Sequence, residues 1–137
     1  MTIITNPKEG TMGAARTMVE ILYDHIDRGA GRIDLPAFTL IWRLGEHRLG
    51  DSCRGQVLTI ENFAIHRGAN RWSIARMFAA TIIRGRYPMP RVPIAFLHYQ
   101  APNLALGDCL KALHFQPYRI GDRLDFWHVV DGQGELL

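Results

Sequence analysis

Cysteine is scarce. Only Cys53 and Cys109 occur in 137 residues. Two thiols cannot build a disulfide framework, and neither has a pair spacing that suggests zinc. The six histidines show no His-x-x-x-His spacing, so no metal is expected. Long apolar runs are missing as well. No stretch approaches the ~20 residues that a membrane-spanning helix needs. Met1-Thr2-Ile3-Ile4-Thr5-Asn6-Pro7 lacks the basic and then apolar layout of a secretory signal. A cytoplasmic protein with no membrane role is the expectation. Charge of one sign is in short supply too. Sixteen Lys and Arg against thirteen Asp and Glu give a net +3. No nucleic-acid recognition motif accompanies that small excess, so nucleic acid is not an expected partner. Internal repeats and low-complexity segments are absent.

What is present is an ordinary globular balance, 47% hydrophobic and 21% charged, enough for one core. The length suits a single domain over residues 1–137. The arginines are unevenly spread. Arg67, Arg71, Arg76, Arg84, Arg86 and Arg91 fall between Glu61 and Asp108, a stretch with no carboxylate. A local positive field there suits a phosphate-bearing ligand.

Periodicity gives the elements. Residues 1–6 read as a short strand and 7–13 as a turn. Ala15, Met18, Val19, Leu22 and Ile26 share one face of a helix over 14–28, which Gly29 and Gly31 stop. Residues 36–44 read as a strand, 45–55 as turns with room for a short strand, and 56–65 as the clearest strand. After a turn at 66–70, Ile74, Phe78 and Ile82 recur every four residues and predict a helix over 71–84, with Ala80 on its polar side. Prolines make 85–93 a loop. A strand over 92–99, a helix over 102–113 and two strands, 115–120 and 124–130, around Gly121-Asp122 complete the order. Residues 131–137 read as a frayed tail. Strand–helix–strand crossovers imply parallel pairing, and the final hairpin adds antiparallel pairing. The expected architecture is α/β: a mixed, partly parallel sheet with helices on both faces. Strands 57–65 and 92–99 should run parallel and splay at their C-terminal ends.

The segment Phe63-Ala64-Ile65-His66-Arg67-Gly68-Ala69-Asn70-Arg71-Trp72-Ser73-Ile74-Ala75-Arg76 resembles a signature of the GNAT acyl-CoA N-acyltransferases. That signature is an apolar strand, a turn, and Arg/Gln-x-x-Gly-x-Gly/Ala opening a helix. Asn70 stands in place of the Arg or Gln, Ser73 replaces the middle glycine, and Ala75 fits. Backbone N–H groups at a helix start lack intrahelical partners, and with the helix dipole they suit a pyrophosphate. A second stretch, Asn103 to Phe115, resembles the family's other signature, an Asn opening a helix that ends Leu-Gly-Phe. Leu113 and Phe115 keep their places and His114 replaces the glycine. The family's acidic Tyr on this helix is Leu110 here.

The resemblance implies a GNAT-like fold with a splayed sheet centre, and acetyl-CoA or coenzyme A as co-substrate. The coenzyme would be bound by Phe63, Ile65, Asn70, Arg71, Trp72, Ser73, Ile74, Ala75, Arg76 and Asn103. Glu61, on the strand before the turn, is the first candidate base and His98 the second. Cys109 reads as a buried core residue, not a nucleophile. Two functions follow. One is an acyl-CoA N-acyltransferase acting on a protein or small amine. The other is a degenerate, non-catalytic member that binds a protein, a bacterial host protein if the gene is a phage's.

Overall fold

The computed structural model describes residues 10–46, 53–66, 70–86, 88–131 and 135–136. The strand expected over 1–6 and the middle of the 66–70 turn, with Arg67, lie outside them. In order, the elements are α1 (Gly10–His25), a 3-10 turn (Ile26–Arg28), β1 (Ala30–Asp34), β2 (Phe38–Glu46), β3 (Cys53–Arg54), β4 (Gln56–Ile65), α2 (Arg71–Arg84), β5 (Phe96–Tyr99), α3 (Leu104–Ala112), β6 (Gln116–Ile120), β7 (Arg123–Val129) and β8 (Glu135–Leu136). Six strands form one mixed sheet in the order β1-β2-β4-β5-β7-β6, and β3 pairs with β8 in a second, two-stranded sheet.

The expected parallel pair is there. β4 and β5 run parallel from Val57↔Phe96 to Ile60↔Tyr99. The other pairs of the large sheet are antiparallel. β6 and β7 close on the two-residue turn Gly121-Asp122, which Gly121 permits with φ of 58°.

Strand alternation sorts the side chains into two faces. Leu58, Ile60, Leu97, Tyr99 and Phe126 join one large core with Ala15, Met18, Val19 and Leu22 of α1, Phe78 and Ile82 of α2, and Leu106 and Leu110 of α3. Val57, Ala95 and Phe96 form a second, small cluster on the other face, with Trp127 and Val129 against it. Among the described residues, the helices therefore share one face of the sheet, where both faces were expected. The cause lies in the strand order. The crossovers β4-α2-β5 and β5-α3-β6 step the same way across the sheet, and crossovers of one hand then lay both helices on the same side.

Other differences are local. α1 begins at Gly10, inside the expected turn. Ala80 is buried and not on a polar face. β1 was not expected at all. β5 starts at Phe96 and not at 92, since Pro93 has no N–H to give the ladder. Ala95 N still bonds Gln56 O at 2.9 Å. The tail is not simply frayed, because Glu135–Leu136 pairs antiparallel with Cys53–Arg54.

Candidate functional site

The sheet opens at its centre. Pairing between β4 and β5 ends at Ile60↔Tyr99, with one further bond from Gln100 N to Ile60 O at 2.9 Å. β4 continues five residues to Ile65, paired only with β2. Two local features part the strands. In β4, Trp42 pairs with Ile60 while Ile41 pairs with Asn62, so Glu61 is the extra residue of a bulge. Bulges bend a strand and raise its twist. In the chain leaving β5, Ala101 takes φ of 44° and Pro102 follows. A left-handed alanine and a proline both end a strand.

The fork is a cleft of about 210 Å³ lined by Ile60, Glu61, Asn62, Phe63, Tyr99, Gln100, Ala101, Pro102, Asn103 and Leu106. It sits at the C-terminal ends of the parallel strands, where open α/β sheets place their ligands. Alternate backbone groups of residues 61–65 face the fork, on the side where β5 no longer meets them.

The helix start beside the fork is uncapped. Asn70 precedes α2 and its side chain makes no capping bond. Ile74 N, bonded to Asn70 O at 2.9 Å, begins the intrahelical ladder. The N–H groups of Arg71, Trp72 and Ser73 come before it, while Ala75 and Arg76 lie within the ladder. Asn70, Arg71, Trp72 and Arg76 are exposed, Ser73 and Ile74 are half-buried, and Ala75 is buried. The Arg71 guanidinium lies 5.0 Å over the Trp72 ring, a cation–π contact. Phe63 packs tilted against Phe78 with ring centroids 4.8 Å apart, which fixes the end of β4 on α2. Ile65 packs partly against the same core.

Asn103 caps α3. Its Oδ1 accepts from Leu106 N at 2.8 Å, in the usual Ncap-to-N3 geometry. Asn103 also lines the cleft. Cys109, expected in the core, is only half-buried, and its thiol donates to Trp72 O at 3.7 Å. Burial raises the Cys109 pKa, with nearby Arg76 opposing it. The thiol is thus the resting form at neutral pH, which suits no nucleophile. Leu110 is fully buried and does not line the cleft.

The two candidate bases part company. Glu61 lines the cleft, is more than one-third exposed, and meets Arg43 Nε at 3.7 Å. His98 lies on the opposite face of the sheet, 3% exposed, and does not line the cleft. Its Nδ1 meets Thr59 Oγ1 at 3.1 Å and its Nε2 meets Asp125 Oδ2 at 2.8 Å. Asp125 is fully buried. It also accepts from Arg123 Nε at 3.0 Å, from the second Arg123 nitrogen at 3.1 Å, and from Ala101 N at 3.0 Å. This knot therefore grips the left-handed residue on the cleft's rim. Sequence reasoning missed Asp125 and missed Tyr99, the one buried tyrosine of the cleft. The Leu-His-Tyr-Gln-Ala-Pro-Asn run carried a partial signal, since Pro102 and Asn103 mark where β5 must stop.

Among the described residues, no group of three or more His, Cys, Asp or Glu could hold a metal. No helix there is long and apolar enough to cross a membrane. No family model matches the chain, and no curated protein matches it in sequence. Among solved structures, a mutant of the toxin AtaT, bound to the C-terminus of the antitoxin AtaR and acetyl-CoA, is similar with a TM-score of 0.46. The two are 13% identical over 82% of this chain and 76% of that one. Nothing about this chain's ligand follows from a likeness of that size.

Proposed function

We propose that the fork between β4 and β5 binds the acyl-thioester end of an acyl-coenzyme A, acetyl-CoA by preference, and that the protein is an N-acyltransferase acting on a protein or small amine. One observation carries this reading. Two parallel central strands separate after Ile60 and Tyr99, leaving backbone groups and a narrow cleft beside an uncapped helix start. A strand-like pantetheine arm can use such backbone groups as β5 would have done. The first N–H groups of α2, at Arg71, Trp72 and Ser73, then receive the pyrophosphate. Asn70, Arg76 and the Asn103 amide flank that path.

The chemistry follows from the lining. An amine nitrogen attacks the thioester carbon. Glu61 takes the proton that the amine must lose. An N–H of β4 around Phe63 to Ile65 stabilises the charge that grows on the carbonyl oxygen. The C–S bond breaks, and the electron pair leaves on sulfur. His98 is placed for support of the rim, not for this proton.

Calorimetric titration of coenzyme A into wild type and Ser73→Glu tests the site. The new carboxylate repels the pyrophosphate, so affinity should fall about tenfold or more, the scale of one charge-assisted hydrogen bond made repulsive. Equal affinity in both places the ligand elsewhere.

The position of Leu110 favours a second reading. A fully buried leucine stands where the resemblance would put an acidic tyrosine. On this reading the protein binds coenzyme A or a protein partner without turnover, and a bacterial host protein is one such partner. Acetyl transfer to any amine in a panel decides against it.

A further inference from the structure

A second cavity lies at the other end of α2 from the fork. It takes in Gly85, just past the last turn of the helix, and so sits about 20 Å from the helix start, at ~1.5 Å per residue. Its volume is about 140 Å³. Tyr23 of α1, Ile82 of α2, Ile94 and Val130 form its inner wall, and all four are buried. Met89, 54% exposed, and Arg91 stand at its mouth. Backbone bonds tie the frame together. Val130 N donates to Ala95 O at 2.9 Å, and Asp131 N donates to Ile83 O at 2.8 Å. Gly85, with φ of 63°, permits that approach, since a side chain there would strike Asp131 O. Pro90 and Pro93 line the loop side and limit its freedom. The cavity is therefore formed before any ligand arrives, as small-molecule sites usually are.

Size and charge decide what fits. An apolar cavity of about 150 Å³ holds a body of six carbons. Among the described residues that line this one, Arg91 alone carries a charge. Burial pushes the Tyr23 pKa well above its ordinary value, so the wall stays neutral. The Arg91 guanidinium meets Asp27 Oδ2 at 3.4 Å, one long contact between side chains that are 65% and 53% exposed. Such a pair is weak, and a guanidinium has further donors to give. Arg91 is free to take a second carboxylate at small cost. We propose that this cavity binds a short aliphatic carboxylic acid of about six carbons, chain inward and carboxylate on Arg91. The site is separate from the fork and does not rest on the acyl-coenzyme A reading.

Hexanoate, butyrate and hexanamide, titrated into wild type and Arg91→Gln, test the assignment. Calorimetry gives the affinities, and NMR of labelled methionine methyl groups gives the place. Hexanoate should bind saturably and shift the Met89 methyl signal, while that of Met18, in the large core, stays put. Butyrate, two methylenes shorter, should bind about 15-fold more weakly, at ~0.8 kcal/mol per methylene. Hexanamide keeps the chain and loses the charge, and should bind about tenfold more weakly than hexanoate. Arg91→Gln should bring hexanoate down to the level of hexanamide and leave hexanamide as it was. Equal affinity for the two acids overturns the proposal, because the chain would then not be buried. Equal affinity for hexanoate and hexanamide in wild type overturns it as well, and so does an unchanged hexanoate affinity in Arg91→Gln. Saturable binding with no shift at Met89, or no binding at all, removes the site. Acetyl-Gly-Gly-Leu with a free carboxylate presents the same chemistry at the end of a chain. Tighter binding of that peptide than of hexanoate would give the cavity to a polypeptide terminus and overturn the free acid as its ligand.

Discussion

His98 and Tyr99 are neighbours on β5 that face opposite sides of the sheet, and their polar atoms meet opposite fates. On one side, His98, Thr59, Asp125 and Arg123 close a network in which the buried carboxylate accepts from a guanidinium, a ring nitrogen and a backbone N–H. On the other side, the Tyr99 hydroxyl has no partner among the described residues. Both residues are within 3% of full burial. A satisfied network fixes geometry and leaves nothing over for a ligand. An open donor does the reverse: it gives up stability and offers a contact. The satisfied side holds Ala101, where the chain turns away from β4, and the open side lines the cleft that this turn creates.

Asp125→Ala breaks the satisfied side and should have the largest effect. It leaves Arg123, His98 and the Ala101 N–H without their acceptor. Removing one partner of a buried pair costs about 3–5 kcal/mol, read as a fall in the denaturant midpoint at unchanged slope. Hydrogen exchange at Ala101 should quicken as well. A loss below about 1 kcal/mol would mean that water replaces the carboxylate and that the knot does not set the rim. The contrast with Tyr99→Phe, where no loss is expected, is the direct measure of the difference between the two faces.

Leu110→Tyr tests the open side by adding a phenol from the helix. Leu110 is fully buried against the large core and does not line the cleft. A larger polar side chain there overpacks the core at about 1–3 kcal/mol. Its hydroxyl should not raise transfer, since it points among apolar side chains. A faster, equally stable Leu110→Tyr protein would show that the new hydroxyl reaches the cleft after all.

Much of the frame was legible in the residues. The four-residue recurrence of Ile74, Phe78 and Ile82, stopped by Gly85, marks α2 at its observed bounds. The apolar run 56–65 marks β4, and Gly121-Asp122 marks the last hairpin. The parallel pairing of β4 with β5 followed from the helix between them. β1 was not legible, because Ala30-Gly31-Arg32-Ile33-Asp34 buries only Ile33 and is a strand by pairing with β2. The placement of the helices was missed because handedness acts on strand order, and order is not written in local periodicity. In the site, Glu61 and Asn103 line the cleft, and the start of α2 lies beside it. Asp125 was invisible because its partners His98 and Ala101 sit 27 and 24 positions away. The difference between His98 and Tyr99 needed the third dimension, since one step along a strand reverses the face.

The smallest expected effect belongs to a polar cluster at the exposed end of the sheet, which resembles the buried knot in composition but not in setting. Thr39 Oγ1 donates to Asp34 Oδ1 at 3.0 Å, and an Arg32 nitrogen donates to Asp34 Oδ2 at 3.2 Å. His66 Nε2 lies 2.8 Å from the same Thr39 hydroxyl. A hydroxyl has one proton, and it goes to Asp34, so the Nε2 of His66 must be a donor here. The Thr39 bond, and then that of Arg32, holds the Asp34 carboxyl below its ordinary range. A carboxyl depressed on folding adds stability above its unfolded pKa, near 3.9. That stability fades as pH falls through the lower folded value. Asp34 is exposed, so solvent screens the gain, unlike that of Asp125. Carboxyl carbon shifts followed by NMR from about pH 6 down to 2 give the measurement. Thr39→Val should move the Asp34 titration upward toward the ordinary value, and Arg32→Ala should move it less. If Arg32→Ala moves it more, charge and not the hydroxyl bond sets this carboxylate, and the exposed cluster works by a different rule from the buried one.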